Sequence, residues 1–249
     1  MKLLQALTED QVIGEFLKNE FYESDYNRDR DLFEQIVLEP NYDDATENAI
    51  RRALLFRRRG HMWRELPDDT SWWQVEIEHQ DLSQVHVFPR AQWRKISDGS
   101  FSLKDIVQRI QNKGYRNGAG EKVTLKLQQL RYRIATNACP QSTILLIGID
   151  EHRPVTILEG NHRLTAAMLV SPETVRTRFR VMCGFSPNMT KSCWYRTNFP
   201  NLFHYGLHRL ANIYDREADL KRIFQSNEPP PVLAQPGPLA VKKLTGTQT

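Results

Sequence analysis

Glu159, Gly160, Asn161, His162 and Arg163 stand where an apolar run, Thr156 to Leu158, meets a helix-forming stretch, Leu164 to Leu169. Such a junction suits an anion. The first N–H groups of a helix lack partners within it, and the helix dipole gathers partial positive charge there. Glycine lets a backbone or a phosphate come close. Asn161 is the expected N-cap. His162 adds a titratable donor, and Arg163 a planar fork that matches phosphate. Glu159, at the strand end, is placed to orient an acceptor hydroxyl or hold Mg²⁺, or else to pair with Arg163. Thr165 either touches phosphate or bonds its own helix backbone. The plainer reading of the motif is a capped helix with a polar end.

Other chemistry-bearing side chains are sparse. His204 and His208 lie one turn apart, as two metal ligands would. No third ligand or adjacent glutamate accompanies them, so no metal site is expected. Cys139, Cys183 and Cys193 include no Cys-x-x-Cys pair and do not read as a disulfide framework. Cys183 and Cys193 read as small core residues, with a reactive thiol near Arg196 as the other option. Trp63, Trp72 and Trp73 read as core anchors or as stacking platforms for a base. Arg57-Arg58-Arg59 reads as a solvated helix end. With Arg51, Arg52, Arg131 and Arg133 it also offers a basic surface to nucleic acid.

The junction must be held by a strand before it and a helix after it. Thr143 to Ile149 is a short apolar run, as in a buried strand. Asp150 to Pro154 is a turn, and Val155 to Leu158 returns as the second arm of a hairpin. The helix after the motif runs from Arg163 to Val170 and stops before Pro172. Further strands are predicted at Trp73–Glu78, Val85–Phe88 and Phe179–Cys183. Ser102 should cap a helix with Leu103, Ile106, Val107 and Ile110 on one stripe, closed by Gly114. Asp98-Gly99-Ser100 is a turn and 115–122 a loop. Val123 to Ala135 reads as helix from its Leu, Gln, Lys and Arg content.

Residues 1–60 read as helical. Leu4, Leu7, Val12, Ile13 and Phe16 recur at helical spacing, and Thr8 with Glu9 and Asp10 offers a helix start. Further helices are predicted at Asp31–Leu38 and Asp43–Arg59, the latter closed by Gly60. This yields an N-terminal helical extension, 1–60, a domain with a C-terminal helix (Leu202 to Ile213), 61–226, and a Pro-rich tail without periodicity, 227–249.

At 249 residues, with 40% hydrophobic and 26% charged residues, the chain can build a sizeable core. Its net charge of +4 and pI near 9.0 suit a phosphate-bearing ligand without marking a nucleic-acid binder. No apolar run reaches the ~20 residues of a membrane span. Charge follows the first residues too soon for a signal peptide. A cytoplasmic setting is expected.

The pieces from Asp81 to Leu169, in their order, resemble the ParB/sulfiredoxin-like superfamily. Val85-His86-Val87-Phe88-Pro89-Arg90 is similar to that family's strand ending in Pro-Arg. Leu103 to Ile110 is similar to the helix that follows. The hairpin Ile144 to Leu158 runs into Glu159-Gly160-Asn161-His162-Arg163-Leu164-Thr165-Ala166-Ala167, which resembles the Asp/Glu-Gly-x-His-Arg-x-x-Ala signature. The resemblance implies a compact α+β fold, a mixed sheet with flanking helices, holding a nucleotide phosphate at the helix start. It assigns phosphate-binding positions to Gly160, His162 and Arg163, and puts Arg90 near the pocket. Asn161 stands where sulfiredoxins have cysteine, which counts against sulfinic-acid repair. No recognition-helix pattern follows Ala167, as partition proteins would require.

The function expected from these features is a nucleotide-using enzyme, of phosphotransferase type, acting on a small molecule. ATP, ADP or CTP with Mg²⁺ would be the cofactor. Glu159 and His162 are the candidate catalytic residues, and Gly160, Asn161, His162, Arg163, Thr165 and Arg90 the nucleotide-binding ones. The alternative is a non-enzymatic regulatory module of the same superfamily, binding nucleotide and, in one version, nucleic acid.

Overall fold

Successive residues of the central strands belong to different cores. Ile144, Leu146 and Ile157 pack in one cluster, Leu145, Ile147 and Leu158 in another. Side chains alternate across a sheet, so both faces are covered and the runs Ile144–Ile147 and Ile157–Leu158 are apolar at every position. The computed structural model describes residues 1–97, 99–113, 121–138, 141–211, 218, 220 and 223. Asp98 of the predicted turn, Gly114, most of the 115–122 loop, Cys139, the end of the predicted C-terminal helix and the 227–249 tail lie outside them.

The chain runs β1 (Lys2–Leu7), α1 (Glu9–Glu20), α2 (Arg30–Leu38), α3 (Ala45–Trp63), β2 (Ser71–Glu76), β3 (Val85–His86), α4 (Ala91–Ser97), α5 (Leu103–Lys113), α6 (Glu121–Ala135), β4 (Ser142–Gly148), β5 (Val155–Glu159), α7 (Asn161–Val170), α8 (Pro172–Arg178), β6 (Phe179–Phe185) and α9 (Phe199–Ala211). The six strands form one mixed sheet in the order β1-β2-β6-β4-β5-β3. β4 pairs in parallel with β6, and β3 with β5; the remaining pairs are antiparallel, including the β4–β5 hairpin. Residues of α5 to α8 pack on one face. Residues of α1, α2 and α3 pack on the other. The fold is therefore mixed α and β. Among the described residues no helix is long and apolar enough to cross a membrane.

The helical reading of the first residues is corrected. Lys2–Leu7 is an edge strand paired with β2. The pairing slips between Leu3 and Gln5, as at a β-bulge. A bulge breaks the two-residue period, which left Leu4 and Leu7 looking helical in sequence. The helix begins at Glu9, behind Thr8, at the start the sequence offered. Thr8 Oγ1 accepts from Gln11 N (3.2 Å) while Gln11 Oε1 accepts from Thr8 N (2.9 Å), a reciprocal cap. The helices of 1–60 share their core with the sheet: Val12, Phe16, Leu17, Ile50 and Leu54 cluster with Leu145, Ile147, Leu158 and Met182.

One helix end also differs from expectation. Gly60 does not close α3, which continues so that Met62 and Trp63 become buried. The helix after the motif ends at Val170, before Pro172, as expected, but Pro172 also opens a new helix. It occupies the first turn of α8, where its missing N–H is harmless, behind the cap Ser171.

Candidate functional site

Gly160 takes φ +99° and ψ 14°, and is the N-cap of α7. This left-handed conformation is open to glycine at little cost. A Cβ at Gly160 would also collide with Ile144 Cδ1 from β4. The sharp turn lets α7 start directly off β5, with its first N–H groups free of intrahelical partners. Asn161 is therefore not the cap. Its Oδ1 accepts the N–H of Phe88 at 2.7 Å, and its Nδ2 donates to Ile157 O at 3.4 Å. Asn161 thus fastens the chain leaving β3 to the start of α7. The next residues on that chain are Pro89 and Arg90, so this bond delivers Arg90 to the helix start. The Arg90 guanidinium lies 5.0 Å from the Phe88 ring centroid, and Phe88 lies 4.5 Å from Trp194.

A cleft of about 320 Å³ opens in front of the turn. Glu159, Gly160, Asn161 and His162 line it from the motif, with Arg90, Gln92 and Trp93 alongside. Lys126, from the segment between α5 and β4, also reaches it. The opposite wall comes from the N-terminal helices: Phe16, Glu20, Asp25 and Arg59. Arg59 is held there by Glu20 (2.6 and 3.1 Å) and Asp25 (3.0 Å).

Arg163 and Thr165 do not line this cleft among the described residues. Arg163 Nη2 bonds Glu159 Oε2, and Nη1 donates to Asn19 Oδ1 at 2.9 Å. Asn19 Nδ2 donates to Glu159 Oε2 (3.2 Å) and to Thr143 O (2.9 Å). Thr165 is fully buried, and its hydroxyl donates to Asn161 O at 2.7 Å. Of the two readings of Thr165, the bond to its own helix is the one observed. Glu159 both holds Arg163 and faces the cleft.

Burial sets the electrostatics. It lifts the Glu159 carboxyl from 4.5 to about 7, in spite of Arg163, and Glu20 adds to the rise. It lowers His162 from 6.5 to about 4, with Lys126 and Arg90 acting in the same direction. His162 is thus a neutral imidazole at pH 7, its ring 5.1 Å from that of Trp93. The cleft pairs a neutral imidazole with a carboxyl that titrates near neutrality. Groups poised in this way serve acid–base chemistry.

The remaining candidates lie elsewhere. His208 Nδ1 sits 2.7 Å from Glu65 Oε1, and no group of three or more His, Cys, Asp or Glu among the described residues is arranged to hold a metal. Cys183 and Cys193 are buried free thiols, and burial raises both well above the ordinary range. Trp63 and Trp72 are buried and stack on each other at 5.8 Å. Of the arginines of α3, Arg51 is turned inward and the others are half-buried and paired, while Arg131 and Arg133 are exposed. Arg51 is buried and bonded to Glu47, Asn48, Ile36 O and Asn41 O. Arg52 pairs with Glu9, Arg57 with Asp29 and Arg59 with Glu20 and Asp25.

Glu20, Asp25, Arg59, Lys126 and Trp93 were not legible as site residues. They sit on four segments far from the motif, and only the packing of both helical layers on one sheet brings them to it. No protein-family model, no curated protein and no solved structure matches this chain.

Proposed function

We propose that the cleft at the start of α7 binds the phosphates of a nucleotide, and that the chain is a nucleotide-using enzyme, of phosphotransferase type, acting on a small molecule. The observation that carries this reading is the left-handed Gly160 turn, which aims the unpaired N–H groups of α7 into a cleft that Arg90 and Lys126 also line. The resemblance of 81–169 to ParB/sulfiredoxin-like proteins supports it. The division of labour differs from the motif-based one. Cations for the phosphate would come from Arg90 and Lys126, because Arg163 is committed to Glu159 and Asn19. His162, being neutral, would donate a hydrogen bond to a phosphate oxygen without adding charge. Glu159 would accept a proton from the attacking hydroxyl, a task its value near 7 fits. Mg²⁺ would be held chiefly by the phosphates with one or two carboxylates, and Glu159 and Asp25 are at hand. The basic-surface version of a nucleic-acid role is weakened by the inward pairing of the α3 arginines.

Isothermal titration of the protein with Mg²⁺ and ATP, ADP or CTP in turn tests the proposal. One of the three should give saturable heat. Arg90→Ala and His162→Ala should each weaken that binding about tenfold or more, as loss of a charged or buried hydrogen-bond donor does. Thr165→Val should leave it within about twofold, since its hydroxyl faces its own helix; this control uses the scale of a lost local hydrogen bond. Absence of heat with all three nucleotides ends the reading.

A further inference from the structure

An amphipathic helix on a globular protein ordinarily turns its apolar stripe inward. Helix α9 does the reverse. Asn201, Tyr205 and His208 share one face, and that face meets the body. The Asn201 side-chain amide donates to the carbonyls of Thr190 (2.9 Å), Ser192 (3.4 Å) and Arg196 (2.6 Å). Tyr205 sets its ring edge-on to Trp194 at 4.7 Å. His208 Nδ1 meets the buried Glu65 carboxylate at 2.7 Å. These anchors hold the helix against rolling. The opposite face carries Phe199, Leu202, Phe203, Leu207 and Leu210, spaced i, i+3, i+4, i+8 and i+11. They are 83%, 48%, 61%, 47% and 63% exposed.

Gly206 lies within this stripe. A Cβ there would meet nothing within 4 Å. Glycine destabilises a helix interior relative to alanine, and no close neighbour inside the fold requires one here. On the outward face it leaves a notch between Phe203 and Leu210, of the kind into which a ridge of a second helix packs.

Charge selects the occupant. No Asp or Glu occurs from Phe185 to Tyr214. Arg209 falls beside Leu202 at helical spacing, His204 lies past the stripe's other edge, and Lys191 and Arg196 are exposed on the segment leading in. A second copy would set these cations against their own kind. Of the chain's own residues after α9, Asp215, Glu217 and Asp219 belong to a stretch whose Ala218, Leu220 and Ile223 pack against the core of α1 to α3, and 229–249 carry Lys242 and Lys243 and no acidic side chain, so neither stretch supplies the complement. We infer that α9 is a docking face for an amphipathic helix of a partner protein whose apolar stripe is bordered by Asp and Glu.

The test takes the full chain and two fluorescent synthetic amphipathic helices that share a Leu/Ala stripe, one flanked by Glu and one by Lys. Anisotropy should show the Glu-flanked peptide binding about tenfold or more tighter than the Lys-flanked one, with affinity falling as salt is added. Phe203→Glu and Leu207→Glu should each weaken it by about tenfold or more. Neither should move the thermal midpoint by more than a few degrees, because both side chains already face solvent. Equal binding of the two peptides, or binding of neither, overturns the inference. So does a sedimenting dimer that Phe203→Glu dissociates, which gives the stripe to a second copy. Flotation with phosphatidylserine vesicles, lost in Phe203→Glu and unmatched by peptide binding, gives it to lipid. Peptide binding that emerges only after removal of 224–249 gives it to the chain's own end.

Discussion

Gly160→Ala is expected to destabilise the protein by about 3–5 kcal/mol, with a fall of roughly 10 °C in Tm for a chain of this size. Two costs combine. The left-handed conformation at φ +99° is strained for alanine, and the new methyl overlaps Ile144 Cδ1 in the core. A double-mutant cycle separates them. Ile144→Val alone should cost about 1 kcal/mol. Combined with Gly160→Ala it should cost less than the sum, because the colliding Cδ1 is gone, while the backbone cost persists. Urea denaturation of the four proteins measures this. Strict additivity would mean that the collision is not what makes glycine necessary.

The second large effect concerns Glu159 and depends on pH. Arg163→Met is expected to cost about 3 kcal/mol at pH 8, since it leaves a largely buried carboxylate without its counter-ion. At pH 5 the cost should be much smaller, because Glu159 then holds a proton. The wild-type protein should show a related trend. Its folded-state carboxyl, near 7, lies above the ordinary 4.5. The folded state therefore binds this proton more tightly than the unfolded one. The resulting stabilisation is fully present below about 4.5 and is lost as pH rises through about 7. Its size is on the order of 3 kcal/mol. Glu159→Gln, which keeps the shape and removes the proton equilibrium, should flatten that stretch of the stability–pH curve and make Arg163→Met milder. Denaturation midpoints of wild type, the two single variants and the double variant between pH 4 and 8 provide the check. A Glu159→Gln profile parallel to wild type would assign the trend to another group.

The parts of the fold legible in sequence were those with an unbroken local signal. The apolar runs of β4 and β5, the turn between them and the helix after Gly160 lie where the residues alone put them. So do Asp31–Leu38, within a residue of α2, and the stripe of α5. The strand β1 was hidden by its bulge. The helix α8 was hidden by reading Pro172 only as a stop, when proline also starts helices. At the site, the sequence located the turn and misjudged its components. Asn161 has a short polar side chain suited to capping, but the cap position needed a positive φ and went to Gly160. Arg163 has the right chemistry for phosphate, yet Asn19 and Glu159 claim it. The second competition is not visible without the contact between α1 and β5, about 140 residues apart in sequence. Likewise Arg52, Arg57 and Arg59 of α3 find their partners on α1 and in the segment between α1 and α2, a packing the sequence does not display.

That contact bears on the order in which the molecule is made. Asn19 bonds Glu159 and Arg163 across separations of 140 and 144 residues. During synthesis α1 leaves the ribosome long before β5 exists, so one wall of the cleft waits for the other. Closing so long a loop is entropically slow, and contacts of this separation form late. The cleft is thus completed among the last events of folding. A ligand held there would bind only chains whose N-terminal helices have already settled onto the finished sheet.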